Sequence, residues 1–137
     1  MKTLYTAEVT ASGGRAGHAR SSDGVLDVPL SLPASMGGDG KKTNPEQLFA
    51  AGYAACFEHA VIHVASQGKT PVSNTQVTAK VGMGQHDDGP FGLEVSLEIK
   101  AEGLSGEELE AVVKEADRLC PYSNAVRGNI PVKITVV

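Results

Sequence analysis

The sequence has no run of Lys or Arg longer than the pair Lys41 and Lys42. With 12 basic against 16 acidic residues and a formal charge of -4, it carries no electrostatic footprint for nucleic acid, and polyanionic partners are not expected. It also lacks a charge-free apolar stretch of about 18 residues. Lys2 leads into an alternating segment, so the N-terminus is not basic-then-apolar. A soluble, intracellular (cytoplasmic) protein without a membrane partner is the expectation. The chain has only two cysteines, which permits one intramolecular disulfide at most. In a reducing compartment such thiols are more often free, catalytic or inert than a permanent staple. There is no internal repeat, no linker of domain-separating length and no low-complexity tract. A single domain over residues 1–137 follows, long enough to bury roughly two thirds of its unfolded surface without a metal or disulfide.

The chain is organised around residues 44–67, NPEQLFAAGYAACFEHAVIHVASQ, which read as one helix with Cys56 at its centre. No residue from Leu48 to Phe57 is charged, so this helix is expected to be buried on most sides, not to show the single apolar stripe of a surface helix. Asn44 is suited to cap it and Pro45 to its first position, while Thr43 with Glu46 also fits a capping box. Gly68 and Pro71 mark its end.

Upstream, residues 3–10 alternate loosely and are rich in β-branched types, which suggests a strand. Gly13 and Gly14 break it. Residues 15–22 and 25–32 flank Asp23-Gly24, a tight-hairpin signal, so a three-strand meander opens the chain. Residues 33–42, with three glycines, read as a mobile surface loop. Downstream, residues 75–83 and 91–100 alternate with period two around a turn at residues 87–90, giving a second hairpin. Ser105 and Glu108 form another capping box. Leu109, Val112, Val113, Ala116 and Leu119 then share one helix face, and Pro121 ends that helix. Val132, Ile134 and Val136 make a last strand. The order predicts an α+β fold with helices packed against antiparallel sheet.

A thiol in apolar surroundings has a raised pKa, so Cys56 needs a nearby cation to react. The central helix offers none before Lys69, roughly 20 Å away along a helix. Arg15, Arg20, Arg118 and Arg127 are the available guanidiniums, and composition does not choose among them. On these grounds alone Cys56 reads equally as a packed small residue or a nucleophile.

Four segments carry a resemblance: GGRAGH at 13–18, SSDGVLD at 21–27, TNPEQLFAAGYAACF at 43–57 and CPYSNAVRGN at 120–129. Together they closely resemble the organic hydroperoxide resistance (Ohr) branch of the OsmC/Ohr superfamily, and the likeness spans essentially the whole chain. The resemblance implies an OsmC-like α+β fold, antiparallel sheets around a long central helix, in an intertwined homodimer with two sites at the subunit interface. It implies a cysteine-based organic hydroperoxide reductase with no cofactor. Carried over by motif, the site residues are Arg15, Glu46, Cys56 and Cys120.

In that scheme Cys56 attacks the peroxide and becomes a sulfenic acid, which Cys120 resolves as a disulfide. Arg15 lowers the thiol pKa and binds the peroxide, and Glu46 aims Arg15. The implied reductant is a dihydrolipoyl group on a lipoylated protein. Cys120, at the expected C-terminus of the second helix, is disfavoured as thiolate by the helix dipole, which suits the resolving role. Ten residues separate Glu46 from Cys56, a rise of roughly 15 Å, so either Arg15 spans the gap, the helix starts late, or the subunits share the site. Leu48, Phe49, Phe57, Phe91 and Tyr122 are candidates for an apolar pocket that prefers alkyl or fatty-acid hydroperoxides.

The sequence departs from the family at Glu58, His59 and His63, where small or apolar residues are usual, and at His18. Cys56, His59 and His63 fall on one helix face, so a zinc site is an alternative, with the protein then a non-enzymatic metal or apolar-ligand binder.

Overall fold

The computed structural model describes residues 1–137. They divide into two compact units, Met1–Leu48 and Phe49–Val137.

The first unit is a meander of three short antiparallel strands, β1 (Val9–Ser12), β2 (His18–Ser21) and β3 (Asp27–Pro29), in the order β1-β2-β3. The expected strand over residues 3–10 starts late, because β2 offers partners only from Ser21 back to His18 and the chain then turns away. The hairpin at Asp23-Gly24 is present with a longer loop than a two-residue turn. Asp23 accepts from the Ser21 hydroxyl at 2.6 Å and from the Val25 N–H at 3.0 Å, and Ser21 N–H reaches Leu26 C=O at 2.8 Å. Residues 33–42, expected as a plain loop, contain one 3-10 turn at Ala34–Met36.

Helix α1 (Pro45–Gln67) begins in this unit and continues into the second. Asn44 caps it, its side-chain oxygen accepting from the Gln47 N–H at 2.9 Å. The expected capping box does not form. Thr43 donates to the Gln47 side chain, and Glu46 is engaged elsewhere.

The second unit carries a mixed sheet, β4 (Ser73–Gln85), β5 (Phe91–Glu102) and β6 (Val132–Val136), in the order β4-β5-β6. β4 and β5 pair antiparallel as their alternation predicts, but β6 joins β5 in parallel, so the all-antiparallel expectation needs correction. The cause is the helical crossover between them, since a parallel pair needs a long connection. That crossover is α2 (Gly106–Leu119) followed by α3 (Pro121–Val126). The Ser105–Glu108 capping box forms in both directions, at 3.2 and 2.8 Å. α3 was missed in the sequence: Pro121 ends α2, and it also occupies the first position of a new helix.

Tyr53, Phe57, Ala60 and Val61 of α1 pack with Val95, Leu97 and Ile99 of β5 and Leu109, Val113 and Ala116 of α2 into one core. Each large apolar side chain so buried contributes about 1.5–3 kcal/mol. α1 is long and apolar enough to cross a bilayer by length and composition alone, yet its packed edge lies in this core. It is not buried on most sides: Ala51, Ala55, His59, Ile62 and His63 are exposed.

Candidate active site

Arg15 stands in a 3-10 turn, Gly14–Ala16, between β1 and β2. The turn exists because Gly13 and Gly14 adopt φ 79° and 58°, a left-handed conformation that costs other residues about 1 kcal/mol or more. From it the guanidinium reaches the first turn of α1 and binds Glu46 with both prongs: Nη1 donates to Oε2 and Nη2 to Oε1, each at 2.7 Å. The Arg15 hydrogen bonds hold the Glu46 carboxyl below the usual carboxylate range, and Glu46 holds the guanidinium up. Glu46 is thus committed to Arg15, which answers the capping alternative. In the same hairpin His18 Nε2 meets Asp27 Oδ1 at 2.5 Å.

In the second unit, Cys56 faces Cys120. Both thiols are free. Cys56 is half-buried and Cys120 fully buried. Burial pushes the Cys56 thiol up, its hydrogen bond and charge interaction with Cys120 push the same way, and the Tyr122 backbone N–H, donating to the sulfur, pulls it down. No Lys or Arg is among these influences. Arg118 pairs with Glu115 at 2.7 Å, and Arg127 binds the Asp117 carbonyl at 2.7 Å, so two of the four candidate guanidiniums are occupied on α2 and α3.

Cys120 is not simply the end of α2. Its N–H bonds Ala116 C=O at 2.8 Å, and its own C=O accepts from Asn124 N–H at 3.0 Å, so it closes one helix and opens the next. The dipole argument for its weak nucleophilicity is therefore offset by α3. Burial supplies the better reason: an incoming molecule can reach Cys56 and not Cys120. Helix α1 starts at Pro45, which removes the late-start explanation for the spacing between Glu46 and Cys56.

Of the five pocket candidates, Phe49 and Tyr122 meet edge to face at 6.2 Å. Phe57 is sealed in the core and cannot line a pocket, and Phe91 is exposed at the start of β5. Leu48 closes the first unit. The alternative zinc ligands are not gathered: His59 and His63 are exposed, and no three His, Cys, Asp or Glu side chains cluster as a metal site.

The chain as a whole is similar to known proteins. The family model described as OsmC-like protein covers residues 38–135. An organic hydroperoxide resistance protein of Xanthomonas axonopodis pv. citri is 51% identical over 137 residues, which span 98% of this chain and 96% of that protein. This chain belongs to the organic hydroperoxide resistance branch of the OsmC-like family. The crystal structure of the OsmC-type organic hydroperoxide resistance protein from Legionella pneumophila superimposes with a TM-score of 0.95 at 47% identity, covering 98% of both chains. OhrB of Bacillus subtilis gives 0.89 at 43% identity, covering 98% of this chain and 100% of its own. The α+β OsmC fold is thereby established, β6 and α3 included.

Sequence reasoning missed two features that the structure places near the cysteine pair. One is the Tyr122 amide on the Cys56 sulfur. The other is the pairing of Tyr53 with Ser123 beneath it, at 2.8 Å. The signal available for both was Cys120-Pro121, a cysteine placed directly before a helix-starting proline.

Proposed function

We propose that this protein is a thiol peroxidase that reduces organic hydroperoxides to alcohols, in defence against oxidative stress. The observation that carries the reading is the reduced pair of Cys56, accessible, and Cys120, buried beside it. Cys56 attacks as the thiolate. Its sulfur forms a bond to one peroxide oxygen, the O–O bond breaks, and the departing alkoxide takes up a proton as alcohol. The thiol of Cys120 then attacks the sulfenic acid, releasing water and leaving a Cys56–Cys120 disulfide.

Arg15, carried over by its motif, activates Cys56 and binds the peroxide, and Glu46 holds its planar fork in one orientation. Phe49 and Tyr122 belong to the apolar surface that receives the alkyl chain, each buried methylene contributing about 0.8 kcal/mol. A dihydrolipoyl group, itself a dithiol, reduces the disulfide. The protein works in the cytoplasm as one OsmC-like domain per chain in a homodimer. The exposed face of α1 and the exposed Leu4, Tyr5 and Val9 support a second copy as their cover.

The deciding experiment is a thiol count on reduced protein, before and after one equivalent of an alkyl hydroperoxide, with mass analysis of the products. Two free thiols falling to none with an intact Cys56–Cys120 disulfide is the expected result. Two thiols remaining free would overturn the reading.

A further inference from the structure

We propose that Tyr53 is a positioning residue for the resolving cysteine, holding the segment after Cys120 in register with Cys56 through Tyr122 and Ser123. The inference deepens the peroxidase reading above and rests on it. Tyr53 lies one helical turn before Cys56 and is fully buried. Its hydroxyl shares a 2.8 Å hydrogen bond with the Ser123 hydroxyl, which is itself 2% exposed. Its ring stacks on that of Tyr122, with centroids 5.7 Å apart and planes at 27°. One residue of α1 thus grips two consecutive residues of α3, by two different interactions.

The surroundings tighten this grip. Phe49 sets its edge against both tyrosine rings, at 6.4 and 6.2 Å. Gly52 leaves the space in which the Tyr122 phenol lies: a Cβ there would come within 2.9 Å of Tyr122 Cζ and collide with its hydroxyl. On the far side of the elbow, the Asn124 amide donates to Arg118 C=O at 3.1 Å and Arg127 to Asp117 C=O at 2.7 Å. Cys120 and Pro121 are therefore pinned between two anchored ends.

The chemistry requires such pinning. A disulfide forms only when the two Cα atoms stand about 4.4–6.8 Å apart with a set dihedral. Cys120 has no exposed surface, so it meets the sulfenic acid only from its packed place beside Cys56. A resolving thiol that drifts leaves the sulfenic acid waiting, and a second peroxide then carries it to sulfinic acid. The first step, attack of Cys56 on peroxide, draws on neither the Tyr53 nor the Ser123 hydroxyl, which bond each other. The two steps should separate in variants of the clamp.

The test uses the full chain with Tyr53→Phe and Ser123→Ala, each given one equivalent of an alkyl hydroperoxide and followed by rapid quench and mass analysis. Tyr53→Phe keeps the ring and drops the hydrogen bond, and Ser123→Ala removes the partner hydroxyl while leaving both tyrosine rings in place. The expected result is formation of sulfenic acid at the wild-type rate, with disulfide formation slowed about tenfold or more and a larger sulfinic fraction under excess peroxide. Disulfide formation as fast in both variants as in the wild type would overturn the positioning role, as would equal slowing of both steps. Absence of the disulfide in the wild type itself would instead overturn the two-cysteine cycle, and the positioning role with it.

Discussion

Arg15 and Glu46 meet side by side, 31 residues apart in sequence, through two parallel hydrogen bonds of 2.7 Å. Neither prong of the guanidinium is free to turn without breaking both bonds. Such pairing gives direction more than stability, because Arg15 remains 37% exposed and water screens the attraction.

Replacing Glu46 by Gln should therefore slow peroxide reduction more than it weakens the fold. At neutral pH the stability loss is expected at about 1 kcal/mol or less. The Glu46 carboxyl titrates lower in the folded protein than its ordinary value, so its contribution is complete above the ordinary carboxylate range and vanishes as pH falls through the lowered value. Urea midpoints of wild type and Glu46→Gln should accordingly converge on acidification. Unchanged activity together with a much lower midpoint would make the pair structural only.

The pH dependence of the first oxidation reports on Cys56. Burial and Cys120 raise its pKa, and the thiolate is the reacting form. The rate should climb with pH until the thiolate is fully formed. Arg15→Ala should displace that rise to higher pH, and Arg15→Lys should restore the charge but not the two-pronged geometry. Ultraviolet thiolate absorbance against pH is the measurement, and overlapping curves for wild type and Arg15→Ala would exclude Arg15 as the activator.

Metal removal should change nothing. Cys56, His59 and His63 share a stretch of helix, but the two histidines point to exposed positions and no three-ligand group exists. Peroxide reduction by exhaustively chelated protein is expected to equal that of untreated protein. Loss on chelation with recovery on adding zinc would return the metal reading.

What was legible in the sequence was whatever local chemistry determines. The period-two alternation of β5 and the Ser105–Glu108 box each specify their own geometry, and both stand where expected. What was not legible depends on distant partners. Thr43 and Glu46 make a sound capping box by spacing, but an arginine 31 residues away takes the carboxylate. The parallel register of β6 follows from the crossover, not from its own five residues. Pro121 carries two meanings, stop and start, and only the burial of Ser123 and Val126 behind it decides for the second. For the candidate site, motif resemblance put forward Arg15, Glu46, Cys56 and Cys120, of which the structure pairs Arg15 with Glu46 and Cys56 with Cys120, whereas the Tyr53 hydroxyl needed the fold before its partner could be known.

The Ser105 cap offers a control remote from the chemistry. Its hydroxyl accepts from the Glu108 N–H at 3.2 Å while the Glu108 carboxylate accepts from the Ser105 N–H at 2.8 Å. Ser105→Ala should cost about 1 kcal/mol of stability, read as a shift in urea midpoint, and leave the rate of peroxide reduction as it is. A variant of the site that lowers activity can then be judged against one that lowers stability alone.

The two cysteines should fail in different ways. Cys56→Ser removes the sulfur that meets peroxide, and turnover should vanish, because Cys120 is fully buried and cannot take over. Cys120→Ser keeps the accessible sulfur and loses only the internal partner. One equivalent of alkyl hydroperoxide should then be consumed per chain, leaving a single added oxygen on Cys56, and further peroxide should drive that sulfur to the sulfinic acid. Mass analysis after each addition separates these outcomes. Sustained turnover in Cys120→Ser with a small thiol present would show external resolution of Cys56, and organic hydroperoxide reduction surviving in Cys56→Ser would move the reacting atom elsewhere in the molecule.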